Sequence, residues 1–214
     1  MEFQPGDIAA CYGTDWTSRL IRWGTCSIFP PAPLRLGPSH VALLCRWRER
    51  MIWVESTTLC QHPCLFHQRP VSGVQAHAPE ERIGDYVRQH GWVEIYRLTQ
   101  FHRLCPQESR LLTKLLLDEF LGVELRYDLR GAMLSGTRLL QLTRCFPGAD
   151  LEELFCSELV AAVVMRMQRM NHSNPSRYNP ARLLRELVHL GKYQKVAVFS
   201  GADAVKLSQE AAHV

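Results

Sequence analysis

Leu154-Phe155-Cys156-Ser157-Glu158-Leu159-Val160 opens an apolar helical run. Far upstream, Ser39-His40-Val41-Ala42-Leu43 reads as a strand that carries a histidine at its start. A thiol at a helix N-terminus and an imidazole on a strand are the working pair of a cysteine hydrolase. The partial positive charge of the helix end and a neighbouring imidazolium both stabilise a thiolate, which is the nucleophilic form. A thiol hydrolase needs a third group to orient its base. Glu55, in Trp53-Val54-Glu55-Ser56, is the candidate, because a carboxylate between apolar strand residues calls for a partner. A two-residue turn at Arg48-Glu49 would pair Ala42 with Glu55 and set His40 diagonally beside it. An odd loop would send one of the two to the other face.

The rest of the chain reads as one domain over residues 1–200 followed by a tail, 201–214. Asp7 to Tyr12 is a strand, and Asp15 to Trp23 a short helix with Trp16, Leu20 and Trp23 at helical spacing. Gly24 to Pro38, rich in proline, is a loop. Strands follow at 41–47, 51–56, 71–76 and 92–98. A helix runs from Pro106 to Leu121, with Leu111, Leu112, Leu115, Leu116 and Phe120 on its apolar face. Arg130 to Leu154 reads as a mobile segment with some helix. The helix of Cys156 extends to Met170, another starts at Asn179-Pro180, and 196–199 forms a last strand.

Composition narrows the function classes. With 46% hydrophobic and 21% charged residues, the 214-residue chain is ordinary for a globular enzyme. Its net charge of +4 comes from arginines scattered along the sequence, whereas nucleic-acid binding asks for clustered positive charge. No stretch approaches the roughly 18 apolar residues of a membrane span, and Met1-Glu2-Phe3-Gln4-Pro5-Gly6-Asp7 lacks the pattern of a signal peptide. The expectation is a cytoplasmic protein without nucleic-acid partner, integral membrane segment, cofactor or metal. The 8 cysteines lack the density of a disulfide framework and read as buried thiols. Cys60-Gln61-His62-Pro63-Cys64, with His67 behind it, has a zinc-like residue set, but its spacing is compressed and no second ligand pair accompanies it. His77, His90, His102 and His172 lie in polar surroundings and read as solvated.

Six fragments in order resemble one family. They are Gly6-Asp7-Ile8, Ser39-His40-Val41-Ala42-Leu43, Trp53-Val54-Glu55-Ser56-Thr57, Val93-Glu94-Ile95-Tyr96-Arg97-Leu98, Tyr127-Asp128 and Phe155-Cys156-Ser157-Glu158-Leu159-Val160. Together, from residue 6 to about residue 185, they resemble the permuted papain-like branch of the NlpC-type hydrolase superfamily, the YiiX-like proteins. The resemblance implies an α+β, circularly permuted papain-like fold, an antiparallel sheet packed against helices, with the histidine strand ahead of the cysteine helix. It implies Cys156 as nucleophile, His40 as general base and acid, and Glu55 as the orienter of His40. It also implies Tyr127 and Asp128 near the cleft. Ser39 and Ser157, beside the base and the nucleophile, join them as candidate substrate contacts. The expected substrate is a small peptide or cell-wall-like peptide cleaved at an amide. A lipid-like substrate of an acyltransferase or thioesterase related to lecithin–retinol acyltransferase is the alternative, with Trp16, Trp23, Ile28 and Phe29 lining an apolar channel. A binding module without turnover is the third reading. The Arg130–Leu154 segment and the 60–64 loop depart from the family pattern and leave the substrate open.

Overall fold

The hairpin at the centre of the sequence sets the frame. Strands β2 (His40–Trp47) and β3 (Arg50–Thr57) pair antiparallel with Trp47 opposite Arg50 and Leu43 opposite Val54. The turn is therefore two residues long, and one step past Leu43 and Val54 the same register brings Ala42 beside Glu55. Arg48 and Glu49 both have positive φ, 46° and 62°. That is the backbone of a type I′ turn, whose twist suits the flanking strands. The sequence disguises it, because the usual residues there are asparagine and glycine.

In this computed structural model, which describes residues 1–25, 36–58, 62–122 and 155–201, six strands form one antiparallel sheet ordered β4-β3-β2-β1-β5-β6. β1 (Ile8–Tyr12) is central and fully buried, with β4 (Gly73–His77), β5 (Trp92–Leu98) and β6 (Tyr193–Phe199) completing the sheet. The described helices are α1 (Trp16–Gly24), α2 (Pro79–Arg88), α3 (Pro106–Leu115), α4 (Cys156–Arg166) and α5 (Pro180–His189). The architecture is α+β.

The period-two alternation of the strands divides the core between the two sheet faces. Ile8, Ala10, Val41, Leu43 and Val54 pack into the larger core with Leu112, Leu116, Leu159, Val163 and Leu184. Ala9, Cys11, Ala42, Leu44 and Trp53 form the smaller one with Ile83 and Val87 of α2. Helix α4 lies in the larger core and is buried from Cys156 through Met165.

Several expectations shift. The Cys156 helix ends at Arg166 rather than Met170. The helix from Pro106 changes into a π-helical turn over Leu116–Leu121, and Leu111 is 56% exposed rather than on the buried face. The sequence pattern yields no element between Ala76 and Trp92, yet α2 stands there. Its N-cap is Ala78, without a side-chain cap, and Gly84 interrupts it, so Pro79 at the first position and Glu80 and Glu81 in the first turn are the signals that announce it. The 201–214 tail beyond Gly201, most of the 24–38 loop and the 130–154 segment lie outside the described residues.

The turn yields a prediction. Left-handed backbone costs a residue with a side chain about 1–2 kcal/mol. Replacing Arg48-Glu49 by Asn-Gly is expected to raise stability by about 1 kcal/mol. A urea midpoint that moves upward with unchanged slope shows this; an unmoved midpoint would refute the strained turn.

Candidate active site

His40 begins β2 directly opposite Cys11 of β1, and shares a sheet face with Glu55. Glu55 Oε2 lies 2.7 Å from His40 Nε2. The carboxylate is fully buried and the imidazole 12% exposed. Cys156, the first residue of α4, is the neighbour whose charge raises His40 most. With Nε2 engaged by Glu55, Nδ1 is the nitrogen that remains for the thiol. Thiol and imidazole thus arrive from opposite layers and meet where β2 begins.

A fourth residue, absent from the sequence reading, completes the row. Arg82 of α2 donates from Nε to Glu55 Oε1 at 2.6 Å and from Nη1 to Asp85 Oδ2 at 2.7 Å. Asp85 also accepts from Arg88 Nη2 at 2.5 Å and faces His62 Nε2 at 3.1 Å. Arg82 and Asp85 are each 5% exposed. The row His40–Glu55–Arg82–Asp85 is therefore a line of alternating donors and acceptors. A buried strand glutamate was the one sequence signal that it needed a cation. Nothing in the pattern said which, because Arg82 lies on an unrecognised helix.

The electrostatics follow from this packing. Burial by itself would raise Glu55, but the Arg82 guanidinium and then His40 hold it far below the carboxylate range. Burial would lower His40, but the charge and hydrogen bond of Cys156, followed by those of Glu55, lift it to about 10. A folded value above the unfolded one means that protonated His40 adds stability. That stability is complete below about pH 6.5 and is lost as pH rises through about 10. Glu55 has the opposite sign: its contribution is present above about pH 4.3 and is lost only as strong acid protonates it.

Cys11 supplies an internal contrast. It is buried beside His40, and burial followed by the negative charge of Glu55 pushes its thiol well up. Among the described cysteines, Cys11, Cys45, Cys64, Cys105 and Cys156 are free thiols, and Cys105 is exposed.

The other candidates separate. Ser39 Oγ donates to the Cys11 carbonyl and accepts from the Gly13 N–H, both at 3.1 Å. Ser157 Oγ donates to the Tyr178 carbonyl at 2.6 Å. Both serine hydroxyls are thus committed inside the fold. Tyr127 and Asp128 lie outside the described residues, as do Cys60, Ile28 and Phe29. Trp16 and Trp23 do not wall a channel among the described residues; they are 79% and 74% exposed. His77 is buried rather than solvated, with Nε2 2.8 Å from Gln75 Oε1. Cys64 Sγ accepts from the Ala76 N–H at 3.2 Å.

The chain is similar to the crystal structure of the metalloprotein YiiX from Escherichia coli O157:H7, with a TM-score of 0.56 and 16% identity over 92% of this chain and 98% of that one. It has a YiiX-like fold. No family model and no curated protein sequence matches it. The neighbour is described as a metalloprotein; among the described residues here, no group of three or more His, Cys, Asp or Glu is placed to hold a metal ion.

Two measurements test the row. In Cys156→Ala the His40 titration is expected to move down from its wild-type position, since a principal source of its elevation is gone. Proton NMR of the ring follows it, and an identical titration in both proteins would separate Cys156 from His40. Arg82→Met leaves Glu55 buried with a single counter-charge. The expected loss is about 3–5 kcal/mol in urea unfolding, and a loss under about 1 kcal/mol, the range of surface pairs, would show that Arg82 does not carry the carboxylate.

Proposed function

We propose that the protein is a cysteine hydrolase of permuted papain-like, NlpC-type architecture, with Cys156 as nucleophile, His40 as general base and acid, and Glu55 as orienter. One observation carries the reading: the His40 imidazole bonds the buried Glu55 carboxylate and is raised by the charge of a thiol at a helix start. A binding module has no use for that sequence of groups.

In the proposed reaction the Cys156 thiolate adds to a carbonyl carbon while the carbonyl electrons move to oxygen. The oxyanion faces the backbone N–H groups at the very start of α4, that of Cys156 among them, which the helix leaves without intrahelical partners. The intermediate collapses by expelling the leaving group, which takes a proton from His40. Water, deprotonated by His40, then attacks the thioester and releases the acid and the free thiol. Glu55 keeps the imidazole oriented and stabilises its charged form, and Arg82 holds Glu55 in place.

An amide in a small peptide or cell-wall-like peptide is the substrate this reading favours. The lipid acyltransferase or thioesterase reading has one observation of its own, the exposed tryptophans of α1.

Acyl-directed probes with peptidic and lipidic tails, followed by mapping of the modified residue, decide between them. Label is expected on Cys156 and not on Cys11 or the exposed Cys105, and Cys156→Ala is expected to abolish it. Glu55→Gln keeps the shape but not the charge, and is expected to slow acylation by on the order of 10²–10⁴, with circular dichroism confirming the fold. Label on another cysteine, or full reactivity in Cys156→Ala, would refute the assignment.

A further inference from the structure

Helix α1 is amphipathic in the inverted sense. At 100° per residue, Trp16, Leu20 and Trp23 fall within one narrow sector, and they are 79%, 44% and 74% exposed. The partly covered residues are Ser18, Ile21, Arg22 and Gly24, and it is polar groups that tie the helix down. The Arg22 guanidinium lies 4.9 Å from the Trp92 ring centroid and 5.4 Å from that of Tyr12. Asp15 caps the first turn by accepting from the Ser18 N–H at 2.9 Å. Arg185 of α5 reaches the Thr25 carbonyl at the helix's far end at 3.3 Å. A helix that packed for its own stability would turn its tryptophans inward.

We propose that this face docks on an anionic lipid bilayer, with Trp16, Leu20 and Trp23 entering the interface. The charge pattern selects this occupant. Arg19 is exposed on the flank of the apolar sector, and no carboxylate occurs between Asp15 and Glu49. Arginine beside tryptophan suits the headgroup layer: the indole sits at the boundary and the guanidinium meets lipid phosphate. A second copy is the poorer fit. A two-fold pairing through the stripe sets Arg19 against Arg19 with no acid on the helix to neutralise them. No described helix is long and apolar enough to cross a membrane, so the contact is interfacial. The position also has a consequence. Tyr12, the last residue of β1, is followed by Gly13, whose N–H bonds Ser39, the residue before His40. Docking would hold the start of β2 close to the lipid surface. The inference concerns α1 alone and stands whether or not Cys156 is a nucleophile.

The test uses the whole chain with vesicles of phosphatidylcholine containing 30% phosphatidylserine, and with phosphatidylcholine alone, read by co-sedimentation and tryptophan emission. The wild type is expected to bind the anionic vesicles with a blue shift and to be released by salt. Trp16→Ser with Trp23→Ser is expected to lower partitioning by on the order of tenfold or more, with unchanged circular dichroism because both rings are exposed. Arg19→Glu is expected to weaken binding to anionic vesicles and not to neutral ones. A wild type that ignores both vesicles overturns the proposal, and so does a double variant that binds as the wild type does. A wild-type dimer that the double variant dissolves, without vesicle binding, also overturns it and makes the face a self-interface.

Discussion

The Glu55 carboxylate is taken wholly out of water, and the architecture around the site answers that one fact. An ion in the interior costs several kcal/mol unless its lone pairs meet donors and its charge meets a counter-charge. Glu55 has both: the Arg82 guanidinium on one oxygen and the His40 imidazole on the other. Helix α2 sits over the smaller core and brings Arg82 with it, while Ile83 and Val87 of the same helix seal that core. Asp85 in turn absorbs the second half of the guanidinium. The two-residue turn is equally necessary, because a turn of different parity would put Glu55 on the opposite face, among the apolar residues of the larger core.

Two thiols near the imidazole show how much environment matters. Cys11 and Cys156 are both buried, and for Cys11 burial disfavours the thiolate. Cys11 lies on a strand, where no dipole helps it and the charge of Glu55 opposes ionisation. Cys156 lies at the start of α4, and its charge acts on His40. The same side chain is thus a small core residue in one position and the proposed reactive group in the other.

What the sequence disclosed and what it hid divide along physical lines. Apolar runs bounded by turn residues exposed β1, β2 and β3, period-two alternation exposed β5, and Asn179-Pro180 announced α5, since these signals are local. The relation of His40 to Glu55 was legible only up to the parity of a turn. Arg48-Glu49 resembles a solvated charge pair, and its left-handed backbone is imposed by the strands it joins. Arg82 was missed because its helix lacks a capping side chain and has a glycine inside it, leaving Pro79, Glu80 and Glu81 as its start signals. The long-range row is a product of topology, and a single sequence carries no mark of which arginine will meet which glutamate. The outward-facing tryptophans of α1 misled for the opposite reason: their helical spacing was plain, but spacing does not say which way an amphipathic face turns.

The order in which the pieces occur along the chain bears on when chemistry can begin. Imidazole, carboxylate and guanidinium come from residues 40, 55 and 82, all within the part of the polypeptide that a ribosome delivers first. The thiol follows much later, on a helix whose burial is complete only when it lies against β2 and β3. Since α4 is also the centre of the larger core, the step that presents Cys156 to His40 is the same step that consolidates the fold. In a nascent or partly unfolded chain the thiol and the imidazole are therefore apart, and the completion of folding is what brings them together.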